Sequence, residues 1–170
     1  PTRPLEVGEV DYTLKKFSSR VKSEIANFCA KTYFDSLIKK GLLVIDEVRG
    51  LENYRAVEGG AVITCNHFNA FDNYAVFKSI EKDLGRRRLY KVIREGNYTS
   101  FPGLYGYFFR NCNTLPLASS VSVMKDFNKA ITTLLSRGEK ILIYPEQAMW
   151  WNYRKPRPMQ EGAFDLAVLN

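Results

Sequence analysis

Five short runs rich in β-branched and aliphatic residues punctuate this chain, and stretches of helical periodicity separate them. That alternation constrains the fold more than any other feature. The runs are Leu42-Leu43-Val44-Ile45, Ala61 to Cys65, Leu89 to Ile93, Thr114 to Leu117 and Ile141 to Tyr144. Each reads as a strand, and the last as a buried one. The Gly59-Gly60 turn introduces the second. Asp72 to Leu84 places Val76, Ile80 and Leu84 on one helical stripe. Pro102 to Arg110 reads as an aromatic-rich helix. Val121 to Ser136 lines one face with Val123, Met124, Phe127, Ile131, Leu134 and Leu135, and Gly138 ends it. A polar, proline-bearing loop runs to Gln160, and a further helix begins near Glu161. Strands that alternate with helices predict an α/β fold, with a mainly parallel central sheet flanked by helices. At 170 residues, 45% hydrophobic and 25% charged, the chain can bury the core of one domain. Disordered and collagen-like chains are thereby excluded.

The first forty residues have a different texture. Residues 1–12 carry two prolines and little periodicity, and read as a loose leader. From Leu14 to Ile38, Phe17, Val21, Ile25, Phe28 and Leu37 fall mostly at helical spacing, with Lys15, Lys16, Arg20, Lys22, Lys31, Lys39 and Lys40 between or beside them. This predicts a basic amphipathic helix closed by Gly41. Such a helix either lies on an anionic membrane or packs on its own domain. The expected division is a leader and basic helix over 1–40 and an α/β core over 41–170. The chain starts at Pro1 and stops at Asn170 inside a helical pattern, which suggests a trimmed piece of a longer chain. No secretory signal pattern opens it. No run approaches about 18 consecutive apolar residues, so no membrane-spanning helix is expected in this chain. Cys29, Cys65 and Cys112 are odd in number and widely spaced, which favours a reducing compartment.

The chain carries a net charge of +7 and a single histidine, His67. One histidine excludes multi-histidine zinc and iron sites. In parallel α/β sheets, ligands gather at the carboxyl ends of the strands. The chain has no Walker A sequence and no G-x-G-x-x-G, so those two kinds of nucleotide site are not expected. After the Ala61–Cys65 strand comes Asn66-His67-Phe68-Asn69-Ala70-Phe71-Asp72. Asp72 can hold one nitrogen of His67 and leave the other free to accept a proton. A histidine that merely caps the turn is the plainer alternative. After the Ile141–Tyr144 strand comes Pro145-Glu146-Gln147-Ala148-Met149-Trp150-Trp151, followed by Arg154, Lys155 and Arg157. Two tryptophans beside three cations suit an interfacial or anion-binding loop, or a solvated loop whose aromatics pack on the core.

These segments together resemble the glycerophospholipid acyltransferase superfamily, specifically the 1-acylglycerol-3-phosphate O-acyltransferases. Asn66, His67 and Asp72 match that family's N-H-x-x-x-x-D motif. Tyr144-Pro145-Glu146 matches the start of its strand–P-E-G-T motif, with Gln147 and Ala148 in place of Gly-Thr. Arg94-Glu95, Phe101-Pro102-Gly103 and Gln160-Glu161-Gly162-Ala163-Phe164 resemble its other segments, in the same order. The resemblance spans roughly Leu42 to Asn170. It implies transfer of a fatty acyl group from coenzyme A or acyl carrier protein to a lysophospholipid hydroxyl. The thioester is a co-substrate, and no cofactor or metal is implied. His67 would be the general base and Asp72 its orienting partner. Residues expected at the substrate are Asn66, Arg94, Glu95, Pro145, Glu146, Gln147, Arg154 and Lys155. Glu146 is expected to order its loop, and backbone N–H groups over 146–148 to face an oxyanion or a phosphate. The implied place is the cytoplasmic face of a membrane, held peripherally through the basic helix and the Trp150-Trp151 pair.

Two departures bear on the acceptor. The family's second motif ends in an arginine for the acceptor phosphate, whereas Asn113 to Ser119 contains none. Lys91, Arg94, Arg110, Arg154, Lys155 and Arg157 are the cations that could replace it. The family's last strand would lie beyond Asn170. Three other readings compete. Arg86-Arg87-Arg88 beside Tyr90 suits a nucleic-acid-binding module, although no such motif accompanies it. The altered third motif suits a catalytically silent domain of the same fold. A Cys65 or Cys112 nucleophile paired with His67 is the third.

Overall fold

The computed structural model describes residues 2–151, 155 and 157–169. Among the described residues the helices are α1 (Phe17–Lys39), α2 (Leu51–Arg55), α3 (Asp72–Leu84), α4 (Glu95–Ser100), α5 (Gly103–Asn111), α6 (Val121–Ser136) and α7 (Gly162–Val168). The strands are β1 (Ala61–Thr64), β2 (Leu89–Arg94), β3 (Thr114–Leu117) and β4 (Lys140–Ile143). They form one sheet in the order β1-β4-β2-β3, and every pair is parallel. Parallel neighbours need crossover connections, and α3 and α6 supply the long ones. The chain runs outward from β1 through β2 to β3. It then returns to insert β4 between β1 and β2. The carboxyl ends of β1 and β4 therefore lie side by side, with Thr64 opposite Ile143.

Both faces of the sheet are covered, as the expected architecture requires. Phe127, Ile131 and Leu134 of α6 pack with Tyr90, Leu115, Ile141 and Ile143 on one face. Ile80 and Leu84 of α3 pack with Leu89 and Leu142 on the other. The two-residue period of a strand explains the split: Ile141 and Ile143 point one way, Leu142 the other. All four β4 residues are buried, so the strand reads as an unbroken apolar run after Lys140.

Two expectations need correction. Leu42 to Ile45 is not a strand: among the described residues no strand pairs with it, and Leu42 and Val44 are 71% and 65% exposed. β-propensity without a neighbouring edge forms no ladder. The leader is not loose. Leu5 and Tyr12 are buried, and the Tyr12 hydroxyl donates to the Pro116 carbonyl at 2.9 Å. α1 bears on an alternative that the sequence left open. Its buried residues are Ser23 and Ala26: Ala26 packs with Phe108 and Cys112, and the Ser23 hydroxyl donates to Asn113 Oδ1 at 2.9 Å. Phe17 and Phe28 are 75% and 73% exposed, and Val21 and Ile25 are exposed with them. The helix packs on its domain, and its large apolar residues point outward.

Candidate active site

The ladder between β1 and β4 runs one residue past β1, since the Cys65 N–H donates to the Ile143 carbonyl at 3.2 Å. The chain then leaves the sheet and turns. Asn69 shapes the turn through its side-chain oxygen, which accepts the Phe71 N–H at 2.9 Å. α3 begins at Asp72, where the helix dipole favours a negative charge. This strand–turn–helix corner folds Asp72 back onto the only histidine. His67 Nδ1 lies 2.8 Å from Asp72 Oδ2. A carboxylate can only accept, so Nδ1 carries the proton and Nε2 carries the lone pair. Asp72 is 6% exposed and His67 is 23% exposed, so the imidazole is reachable and its carboxylate partner is sequestered. The turn-capping alternative is less apt, because the imidazole bonds a side chain.

The other oxygen of Asp72 is held by Tyr144, the residue that follows β4. The Tyr144 hydroxyl donates to Asp72 Oδ1 at 2.6 Å. Its ring stacks on the His67 imidazole at 4.1 Å between centroids, with 23° between planes. Burial, and then Asp72 alongside, hold the Tyr144 phenol far above its ordinary range, so it keeps its proton. The available signal was a hydroxyl-bearing aromatic at the end of an otherwise aliphatic strand.

Glu146 is buried beside this group. Its carboxylate accepts the Arg157 N–H at 3.1 Å and, at the long limit of 3.5 Å, the His67 N–H. These contacts tie the two loops together. Pro145 is fully buried, and its carbonyl accepts the Gln160 N–H at 2.9 Å, closing the base of the long loop. The Trp150 N–H donates to the His67 carbonyl at 2.8 Å, so this loop lies against the histidine turn. Gln147 is exposed and occupies the left-handed region at φ 56°, where the resembling motif has glycine. Its N–H closes a turn onto the Tyr144 carbonyl at 3.0 Å. That donor is therefore engaged, which removes one of the backbone groups expected to face an oxyanion.

The cations separate clearly. Arg94, at the carboxyl end of β2, donates to the Gln147 carbonyl at 2.6 Å and stands exposed beside the site. The Arg157 guanidinium lies 4.1 Å from the centre of the Trp150 ring. Lys91 is turned to the Cys112 carbonyl at 3.0 Å, and burial lowers its pKa. Arg110 bonds the carbonyls of Tyr98 and Phe101, away from His67. Lys155 is exposed, and Arg154 lies outside the described residues. Glu95 does not face the histidine: it accepts from the Leu5 N–H at 2.6 Å and from Ser119 Oγ at 3.0 Å. Asn66 is exposed, and its carbonyl takes the Cys65 thiol at 3.1 Å.

Burial pushes the thiols of Cys65 and Cys112 up to about 11. For Cys65, Asp72 and Glu146 push the same way. Both stay protonated near neutral pH and make poor nucleophiles. No group of three or more His, Cys, Asp or Glu suited to a metal ion occurs among the described residues.

Comparison with known proteins agrees with this frame. The family model described as Acyltransferase matches residues 46–169. No curated protein and no solved structure matches the chain. The family match takes in β1 to β4 and the whole His67–Asp72 corner, and on that ground the chain belongs to the glycerophospholipid acyltransferase family.

Proposed function

We propose that the protein moves a fatty acyl group from an acyl thioester, on coenzyme A or acyl carrier protein, to the hydroxyl of a lysophospholipid such as 1-acylglycerol-3-phosphate. The observation that carries this reading is the 2.8 Å pair of His67 Nδ1 and Asp72 Oδ2 within an acyltransferase-family domain. His67 Nε2 takes the hydroxyl proton as the oxygen attacks the thioester carbonyl. The tetrahedral intermediate expels the thiolate, which takes the proton back from the imidazolium. Asp72 stabilises that imidazolium and fixes its tautomer. Arg94 supplies positive charge for the acceptor phosphate, in place of the arginine missing from the second motif.

The membrane side of the reading is peripheral attachment at the cytoplasmic face. No helix among the described residues is long and apolar enough to cross a membrane. The outward Phe17, Val21, Ile25 and Phe28 support contact with a lipid surface, and so do the exposed Trp150 and Trp151. Each Lys or Arg near an anionic surface adds about 1 kcal/mol.

The test is acyl transfer from a long-chain acyl thioester to a panel of lysophospholipids, followed as free thiol. His67→Ala is expected to lower the rate by about 10²–10⁴-fold with the fold intact. Cys65→Ala is expected to keep it. Full activity in His67→Ala would remove the mechanism, because no second histidine exists to substitute.

A further inference from the structure

The geometry points to Tyr144 as a positioning residue that fixes the Asp72 carboxylate and, through its stacked ring, the plane of the His67 imidazole. This rests on the reading of His67 as general base. The two oxygens of Asp72 serve three donors. Oδ2 takes the His67 Nδ1–H at 2.8 Å and the Asn69 N–H at 3.4 Å, and Oδ1 takes the Tyr144 hydroxyl, from a distant part of the chain, at 2.6 Å. Two donors follow β1 and the third follows β4, so rotation of the carboxylate is fixed from both sides. The stacked ring sets the imidazole plane as well.

The consequence is orientation. A carboxylate held on both oxygens cannot turn away from the His67 Nδ1–H, so Nε2 stays aimed at an approaching hydroxyl. The phenol is not itself the base, since its proton is held too firmly. Glu146 reaches the His67 N–H, and Arg157 stands behind Glu146 and over Trp150. Cys65 on the β1 side remains a neutral thiol. Only the bond to Asp72 is lost in Tyr144→Phe, which keeps the stacking ring.

Because His67 is the only histidine, its Nδ1–H gives one unambiguous proton signal that needs no substrate. In Tyr144→Phe that signal is expected to broaden and to exchange faster with water, and kcat is expected to fall about tenfold with KM unchanged. In an Asp72→Asn background, Tyr144→Phe is expected to cause no further loss, since the coupling runs through Asp72. An unchanged Nδ1–H signal and kcat in the single variant would overturn the inference, as would an equal loss in the Asp72→Asn background. A fall in kcat that tracks a lower Tm would reduce Tyr144 to packing. Absence of acyl transfer in the unaltered protein would sink the proposed reaction, while the Nδ1–H signal would still decide the coupling.

Discussion

At the residue scale, the site is a set of side chains each held by something definite. Asp72 is shared between His67 and Tyr144, Glu146 joins two loops, and Arg94 leans on the Gln147 carbonyl. Gln147 adopts a left-handed backbone that costs a non-glycine residue about 1–2 kcal/mol. Strain of this kind concentrates at functional turns. Arg94 makes the sharpest prediction at this scale. Arg94→Ala is expected to raise KM about tenfold or more for a phosphate-bearing lysolipid, a charge-assisted contact being of about that strength. KM for an uncharged monoacylglycerol should change little. Equal effects on both acceptors in steady-state kinetics would assign Arg94 to holding the loop instead.

At the scale of elements, the close approach of β1 to α6 sets a strict demand. A Cβ at Gly60 would lie 2.2 Å from the Leu135 carbonyl oxygen, which is backbone and cannot swing away. Gly60→Ala is expected to destabilise the fold by about 2 kcal/mol or more, read by urea denaturation. The α1–α3 contact makes a second prediction. Asp35 is held by Lys78 at 2.8 Å and by the Tyr74 hydroxyl at 2.9 Å, and Lys31 also pairs with it. Led by Lys78, these partners lower its pKa from 3.8 to about 2. The folded value lies below the unfolded one, so the stabilisation is complete above about pH 4 and is lost as pH falls through about 2. Asp35→Asn should therefore cost about 1–2 kcal/mol at pH 7 and converge with the unaltered protein near pH 2, in denaturant titrations at both pH values.

Legibility divides along the same elements. α3, α6 and β3 fall where the periodicity put them, because each has a strong stripe or run and a clear stop. Leu42 to Ile45 misled, because a strand exists only where a neighbour's edge is free. α2 and α4 were missed, since five and six residues carry too few turns to show a period.

At the scale of the whole molecule, the outward face of α1 is the largest departure from ordinary burial. An apolar stripe flanked by cations, on a chain of net charge +7, suits an anionic lipid surface. The paired change Phe17→Ser and Phe28→Ser removes two side chains that the core does not use. Flotation with anionic vesicles is expected to fall about tenfold or more, with Tm unchanged. Binding that ignores both the substitutions and the lipid charge would dismiss the surface. The sequence by itself determined the α/β class, the strand-end placement of His67 and Glu146, and that Asp72 lies within reach of His67. These depend on local periodicity and on a corner of six residues, and local spacing is written in the chain. Only the tertiary structure decided that Tyr144 closes on Asp72, that Glu95 turns to the leader, and which side of α1 is buried. Those outcomes depend on β4 inserting beside β1 and on α5 offering a shallow face to small residues. Such contacts join segments tens of residues apart, and no periodicity within a segment encodes them.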